Sequence, residues 1–126
     1  MSPTLEHANM NVRDLNRSLS FYARVLAGWH IRWEGLTSQG KRWVHLAGPT
    51  HSGYLSLYED PDAYHARPDP GVRVQHLGFA VADVASLALT LSAAGIDPTD
   101  QVDDGDFRRY YYADPDGHEL ELVERI

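Results

Sequence analysis

The sequence predicts an α+β fold made of two strand-helix-strand-strand-strand modules. Three observations lead there. First, His7-Ala8-Asn9-Met10-Asn11-Val12-Arg13-Asp14-Leu15 is echoed by His76-Leu77-Gly78-Phe79-Ala80-Val81-Ala82-Asp83-Val84, with His, Val and Asp recurring at one fixed offset. Second, each echo ends in an Asp that reads as the N-cap of an apolar-striped helix. Third, each helix is followed by a glycine and three strand candidates. At 126 residues the chain suits one domain, burying roughly two thirds of its unfolded surface.

The first strand runs from Leu5 to Val12, with His7, Asn9 and Asn11 on one face. Asp14 caps a helix whose stripe is Leu15, Leu19, Tyr22 and Leu26, and Gly28 ends it. Strands follow over Trp29–Glu34, Lys41–Ala47 and Gly53–Tyr58. The segment Glu59–Gly71, with Pro61, Pro68 and Pro70, reads as a connecting loop. Module 1 is therefore 4–58, the linker 59–71 and module 2 72–126. In module 2 Asp83 caps a helix with Val84, Leu87, Ala88, Leu91 and Ala94 inward, ended by Gly95. Strands run over Asp97–Val102, Phe107–Ala113 and His118–Glu124. The last two are joined by Asp114-Pro115-Asp116-Gly117, which suits a type I turn.

A net charge of -7 argues against nucleic-acid and anionic-membrane partners, which need clustered Lys and Arg. No apolar run reaches the length of a membrane span, and the N-terminus lacks a signal-peptide pattern. The absence of cysteine excludes disulfides, thiolate metal sites and cysteine nucleophiles. A cytoplasmic location fits. Seven histidines remain for chemistry near neutral pH.

A repeated module of this kind places matched positions across a pseudo-two-fold axis. His7 then faces His76, and matching Leu55-x-Leu57 to Leu120-x-Leu122 sets Ser56 opposite Glu121. His7, His76 and Glu121 form a two-histidine, one-carboxylate set, which holds a divalent metal and leaves positions open for substrate. Ser56 is a poor ligand. With N and O donors only, Fe(II), Mn(II), Co(II), Ni(II) and Zn(II) are all suited. Among the other histidines, His45 shares a face with Trp43 and is a candidate for the cavity wall. His118 should cap the turn or pack on a helix. His30 begins a strand, and His51 and His65 fall in loops.

These residues carry a family resemblance. Leu5-Glu6-His7 with Val12-x-Asp14, the helix Ser18–Gly28, Gln75-His76-Leu77-Gly78-Phe79 and Asp114-Pro115-Asp116-Gly117-His118-x-x-Glu121 resemble the vicinal oxygen chelate superfamily. That superfamily includes glyoxalase I, extradiol dioxygenases, fosfomycin-resistance thiol transferases and bleomycin-resistance proteins. The resemblance spans 4–126 and implies one such domain over 1–126. It implies two βαβββ modules forming a cleft of two curved mixed sheets with helices outside, and a homodimer.

The metal ligands implied are His7, His76 and Glu121. Ser56 stands where glyoxalase I carries a fourth ligand, and Glu119 stands where the fosfomycin enzymes carry an anion-binding Arg. Extradiol dioxygenases match on His7-x-Asn9, the three ligands and Tyr111. Their acid-base histidine is not evident among Tyr54, Ser56 and Tyr58. The expectation is a metal-dependent enzyme, most like a dioxygenase, acting on a small oxygen-bearing or aromatic molecule. Tyr111 would be the catalytic hydrogen-bond donor or acid. Asn9, Trp43, Tyr54, Ser56, Tyr58 and one of Arg108 and Arg109, taken as Arg109, would bind substrate. The alternatives are a metal-free binder of aromatic ligands or drugs, and a glyoxalase I-like lyase or thiol transferase.

Overall fold

The computed structural model describes residues 1–50, 53–63 and 72–126. The chain divides into two compact units, Met1–Ala66 and Arg67–Ile126. Unit 1 contains β1 (His7–Val12), α1 (Leu15–Val25), β2 (His30–Leu36), β3 (Arg42–Ala47) and β4 (Tyr54–Glu59). Its strands form one mixed sheet in the order β1-β4-β3-β2, with β1 and β4 parallel and the other pairs antiparallel. Unit 2 contains β5 (Leu77–Ala80), α2 (Val84–Ala93), β6 (Asp100–Asp103), β7 (Phe107–Ala113) and β8 (Glu119–Arg125). Its sheet has the same topology, β5-β8-β7-β6. The fold is α+β, and both βαβββ modules are present.

The two caps form as the sequence predicts. Asp14 and Asp83 are extended, and their side chains accept from the N–H groups of Arg17 and Ser86. Each satisfies one of the donors that a helix start leaves open. In unit 1 the closing signal also holds: Leu26 N–H bonds back to Tyr22, and Gly28 turns the chain out at φ +86, a conformation costly for residues with a Cβ.

Each helix covers one face of its sheet. In unit 1, α1 lies against β4, and the core holds Val12, Leu15, Tyr22, Val25, Val44, Leu46, Leu55 and Leu57. The buried stripe of α1 includes Ser18 and Phe21, whereas Leu19 is only half-buried. At about 100° per residue, the stripe centres between Leu15, Ser18, Tyr22 and Val25, which leaves Leu19 at its margin. In unit 2, α2 packs on β7 and β8, and Val84, Leu91, Tyr112, Leu120 and Leu122 are fully buried. Ala94, expected inward, is exposed because it is the C-cap, beyond the last helical turn.

Most strand boundaries fall within one or two residues of expectation, and Phe107–Ala113 coincides. The largest shift is β6, which starts at Asp100 rather than Asp97. Leu5 is exposed and unpaired with the sheet, so β1 starts at His7. Residues 64–71 of the linker, and His51 and His65, lie outside the described residues. The β7–β8 turn is held by Asp114, whose backbone N–H donates to the His118 carbonyl while its carboxylate accepts from the N–H groups of Asp116 and His118. Gly117 N–H bonds to the Asp114 carbonyl and sits at φ +87. Among the described residues no helix is long and apolar enough to cross a membrane.

Candidate functional site

In unit 1 the face of the sheet away from the core side chains collects the sequence candidates by strand alternation. Cross-strand register sets three rows over that face. They are His7–Tyr54–Ala47–His30, Asn9–Ser56–His45–Trp33, and Asn11–Tyr58–Trp43–Gly35. His7, Asn9, Trp43, Tyr54, Ser56 and Tyr58 thus share one surface. The rings form a column. His7 stacks on Tyr54 at 4.8 Å, Tyr54 on His45 at 4.6 Å, and His45 meets Trp43 at 4.8 Å. Gly35 makes room for the Trp43 indole: a Cβ there would lie 2.9 Å from the ring.

Polar contacts orient this column. His7 Nδ1 lies 2.9 Å from Glu6 Oε1, and the Tyr54 hydroxyl donates to the same oxygen at 3.2 Å. A proton on Nδ1 for that contact leaves the Nε2 lone pair available to a ligand or metal. Burial, then the nearby Glu6 carboxylate, pushes the Tyr54 phenol above its ordinary value. His45 is directly opposite Ser56, and its buried Nδ1 has no hydrogen-bond partner among the described residues. Burial pushes the His45 imidazole below its ordinary value, with His7 and Arg32 adding to the shift.

Sequence reasoning found His45 only as a possible wall residue, through its parity with Trp43. It missed Arg32 and Trp33. The register of β2 slips between Ile31, opposite Leu46, and Trp33, opposite His45. The extra residue of this bulge puts Arg32 and Trp33 on the same face. The Arg32 guanidinium lies 4.7 Å over the Trp33 ring and 5.5 Å from that of Tyr54. No glycine or proline marks this bulge in the sequence.

Unit 2 gathers a different set. Gly78, Glu121, Tyr111 and Asp100 form one row, and Ala80, Val123, Arg109 and Val102 the next. Glu121 Oε1 accepts from the Tyr111 hydroxyl at 3.0 Å and lies 3.1 Å from Arg109 Nε. Glu121 Oε2 lies 3.6 Å from His76 Nε2, while His76 Nδ1 is 3.9 Å from Glu119 Oε2. His76 immediately precedes β5 and meets Tyr111 edge-on. A Cβ at position 78 would sit 3.2 Å from Glu121 Oε2, so Gly78 keeps the carboxylate's space open.

The ambiguity between Arg108 and Arg109 is resolved by strand parity. Arg109 lies with Glu121 and also pairs with Asp104, whereas Arg108 pairs with Asp103 and Glu124. The hydrogen bond from Arg109 lowers the Asp104 pKa and raises that of Arg109. Burial, and then the bond to Glu121, raises the Tyr111 pKa. Tyr111 is therefore a protonated donor at neutral pH.

The donor set suits a divalent ion. Two ligand atoms on one ion at about 2.1 Å each stand roughly 3.0–3.4 Å apart, and the His76–Glu121 separation of 3.6 Å is close to that. The Glu119 carboxylate stands 3.9 Å from His76 Nδ1, beyond hydrogen-bond distance. Among the described residues no three His, Asp or Glu side chains form a ready metal cluster. His7 belongs to unit 1, and His76 and Glu121 belong to unit 2.

Two βαβββ modules with histidines at their opening strands and a carboxylate on the closing strand define a class before any comparison. The chain belongs to the glyoxalase/bleomycin resistance protein/dioxygenase superfamily, whose family model matches residues 4–122. It is 30% identical to glutathione transferase FosA of Serratia marcescens over 127 residues, covering 97% of this chain and 81% of that protein. A glyoxalase family protein from Enterococcus faecalis superposes with a TM-score of 0.78 at 25% identity, covering 95% of this chain and 96% of that one. The fold is also shared by a fosfomycin resistance protein, FosX, from Listeria monocytogenes. A point mutant of FosX was solved with Mn(II) and 1S,2S-dihydroxypropylphosphonic acid. It gives a TM-score of 0.75 at 18% identity, covering 97% of this chain and 92% of that one.

Proposed function

We propose that this chain is a metal-dependent enzyme of the vicinal oxygen chelate type, most like a dioxygenase, acting on a small oxygen-bearing or aromatic molecule. His7, His76 and Glu121 would hold a divalent ion, with Fe(II) or Mn(II) favoured over Zn(II), Ni(II) and Co(II). The observation that carries this reading is the state of Glu121. One oxygen is occupied by Tyr111 and Arg109, and the other lies 3.6 Å from His76 Nε2.

Such an ion supplies Lewis acidity toward two vicinal oxygens of a substrate. The remaining work falls to the chain's own side chains. Tyr111, held protonated, would donate a hydrogen bond to a developing oxyanion by turning its O–H from Glu121 to the substrate. Arg109 is assigned to fixing the Glu121 carboxylate, since Asp104 and Glu121 already engage it. Asn9 and Ser56 orient polar groups, and Trp43, Tyr54 and Tyr58 provide a flat wall for a ring. His45, beside Ser56, can exchange a proton with substrate. A cytoplasmic homodimer is part of the same proposal.

The ring column of unit 1 favours a second reading, a metal-free binder of aromatic ligands. The likeness to a glutathione transferase keeps a thiol transferase in view, although Glu119 would repel an anion at that place. A glyoxalase I-like lyase is disfavoured by Ser56.

Metal content separates these readings. Tag-free protein purified without oxygen should carry about one iron or manganese per chain by mass spectrometry, and Glu121→Ala should carry almost none. Catechols would then be turned over only with oxygen present. Protein that binds none of Fe(II), Mn(II), Ni(II) or Zn(II) after soaking would sink the enzyme reading and leave the binder.

A further inference from the structure

We infer that Glu6 and Tyr54 are positioning residues for His7: together they hold its imidazole with the proton on Nδ1 and with Nε2 left as the electron-pair donor. The inference rests on the reading of His7 as a metal ligand, and says what prepares that ligand. It gives Tyr54 a second task beside its place in the ring wall. All three residues belong to unit 1.

Two side chains converge on one carboxylate oxygen. His7 Nδ1 stands 2.9 Å from Glu6 Oε1, and the Tyr54 hydroxyl donates to the same atom at 3.2 Å. An ionised carboxylate accepts hydrogen bonds and has none to donate, so the nitrogen facing it carries the proton. That contact sets the tautomer. It leaves the lone pair on Nε2, the nitrogen a divalent ion would then use.

The Glu6 side chain is 74% exposed, and a lone contact at that exposure contributes little. Here the glutamate is held at both ends by one residue. Its carbonyl accepts from the Tyr54 backbone N–H at 3.1 Å, and its carboxylate accepts from the Tyr54 hydroxyl. Gly53, at φ +140, lets the start of β4 come this close: a Cβ there would lie 3.2 Å from the Glu6 carbonyl oxygen. Tyr54 also fixes the plane of the His7 ring, lying within 7° of parallel at 4.8 Å, and is itself stacked on His45 at 4.6 Å. Tyr54 thus orders Glu6 and the ring plane, and Glu6 orders the proton.

The repeat shows that the module does not supply this clamp by default. At the offset relating His7 to His76, Gln75 stands where Glu6 does, and matching Ser56 to Glu121 places Glu119 where Tyr54 stands. His76 Nδ1 is 3.9 Å from Glu119 Oε2, beyond hydrogen-bond distance. The three-residue circuit is particular to His7.

The test reads the tautomer in metal-free protein, from the ring-nitrogen chemical shifts of His7 at about pH 8.5, where an ordinary imidazole is neutral. The His7 signals are identified by their loss in His7→Gln. The wild type should show the Nδ1–H form. Glu6→Ala, checked for folding by near-ultraviolet circular dichroism, should move His7 toward the Nε2–H form and weaken Mn(II) binding to chelator-treated protein by about tenfold. Tyr54→Phe keeps the ring and loses the hydroxyl; it should shift the tautomer in part and weaken Mn(II) binding by about threefold, the size of one neutral hydrogen bond. An Nε2–H form in the wild type would overturn the inference. So would a tautomer unmoved in Glu6→Ala, even with weaker Mn(II) binding, since Glu6 would then act only as a nearby charge. A tautomer shift in Glu6→Ala with no Mn(II) uptake by any form would sustain the positioning of His7 while the metal reading falls.

Discussion

At the matched centre of the two sheets, Ser56 lies between Asn9 and His45, and Glu121 lies between Gly78 and Tyr111. In unit 1 the long side chain is on the opening strand and the short one on the closing strand. In unit 2 this is reversed, and a Cβ at position 78 would crowd the Glu121 carboxylate. The two modules exchange volume between neighbours, so one backbone plan carries a ring surface in one copy and a carboxylate with its donors in the other. The opposite faces do not diverge in this way. Leu55 and Leu57 match Leu120 and Leu122, and all four are buried. The repeat is kept where helix and sheet must pack, and it has drifted on the opposite face of each sheet.

The strongest test of that contrast is a matched pair in the core. Leu57→Ala and Leu122→Ala should each cost about 2–5 kcal/mol in urea unfolding, because each removes a fully buried side chain and leaves a cavity. A marked inequality would break the equivalence of the two cores. Next comes the turn of unit 2. Asp114→Ala removes a carboxylate that accepts two backbone N–H bonds and should cost about 2 kcal/mol by the same measurement.

The helix caps should again agree between modules. Asp14→Ala and Asp83→Ala are each expected to lower stability by about 1 kcal/mol, read as paired shifts in the unfolding midpoint. The smallest effect is a pH dependence confined to unit 1. Burial holds the His45 pKa below its ordinary value of 6.5, so the unfolded chain takes up this proton first as pH falls. Stability should therefore drop as pH is lowered from about 6.5 toward the depressed folded value, and be unaffected by this group above it. His45→Gln should flatten that slope in thermal melts at about pH 5–7; an unchanged slope would assign the acid sensitivity elsewhere.

Much of this was readable from residue order alone. The Asp14 and Asp83 caps, the Asp114–Gly117 turn and the module order follow from local rules, since capping, turn geometry and alternation act over a few residues. The same alternation grouped His7 with Asn9 and Tyr54 with Ser56, while Tyr111 was reached through the family resemblance. Reading stopped where a contact depends on register between strands far apart in sequence. Which arginine reaches Glu121, and that His45 faces Ser56, are set by how β7 meets β8 and how β3 meets β4.

The bulge at Arg32–Trp33 is the clearest case. A one-residue slip changes which face every following side chain takes, and it is fixed by pairing with β3 rather than by any local preference of β2. By itself the sequence determined the modules, their helix starts and the family pattern, because short-range geometry and the repeat encode them. Only the tertiary structure decided that Arg109 holds Glu121 and that a cation caps the ring column, because long-range register, not local propensity, aims those side chains.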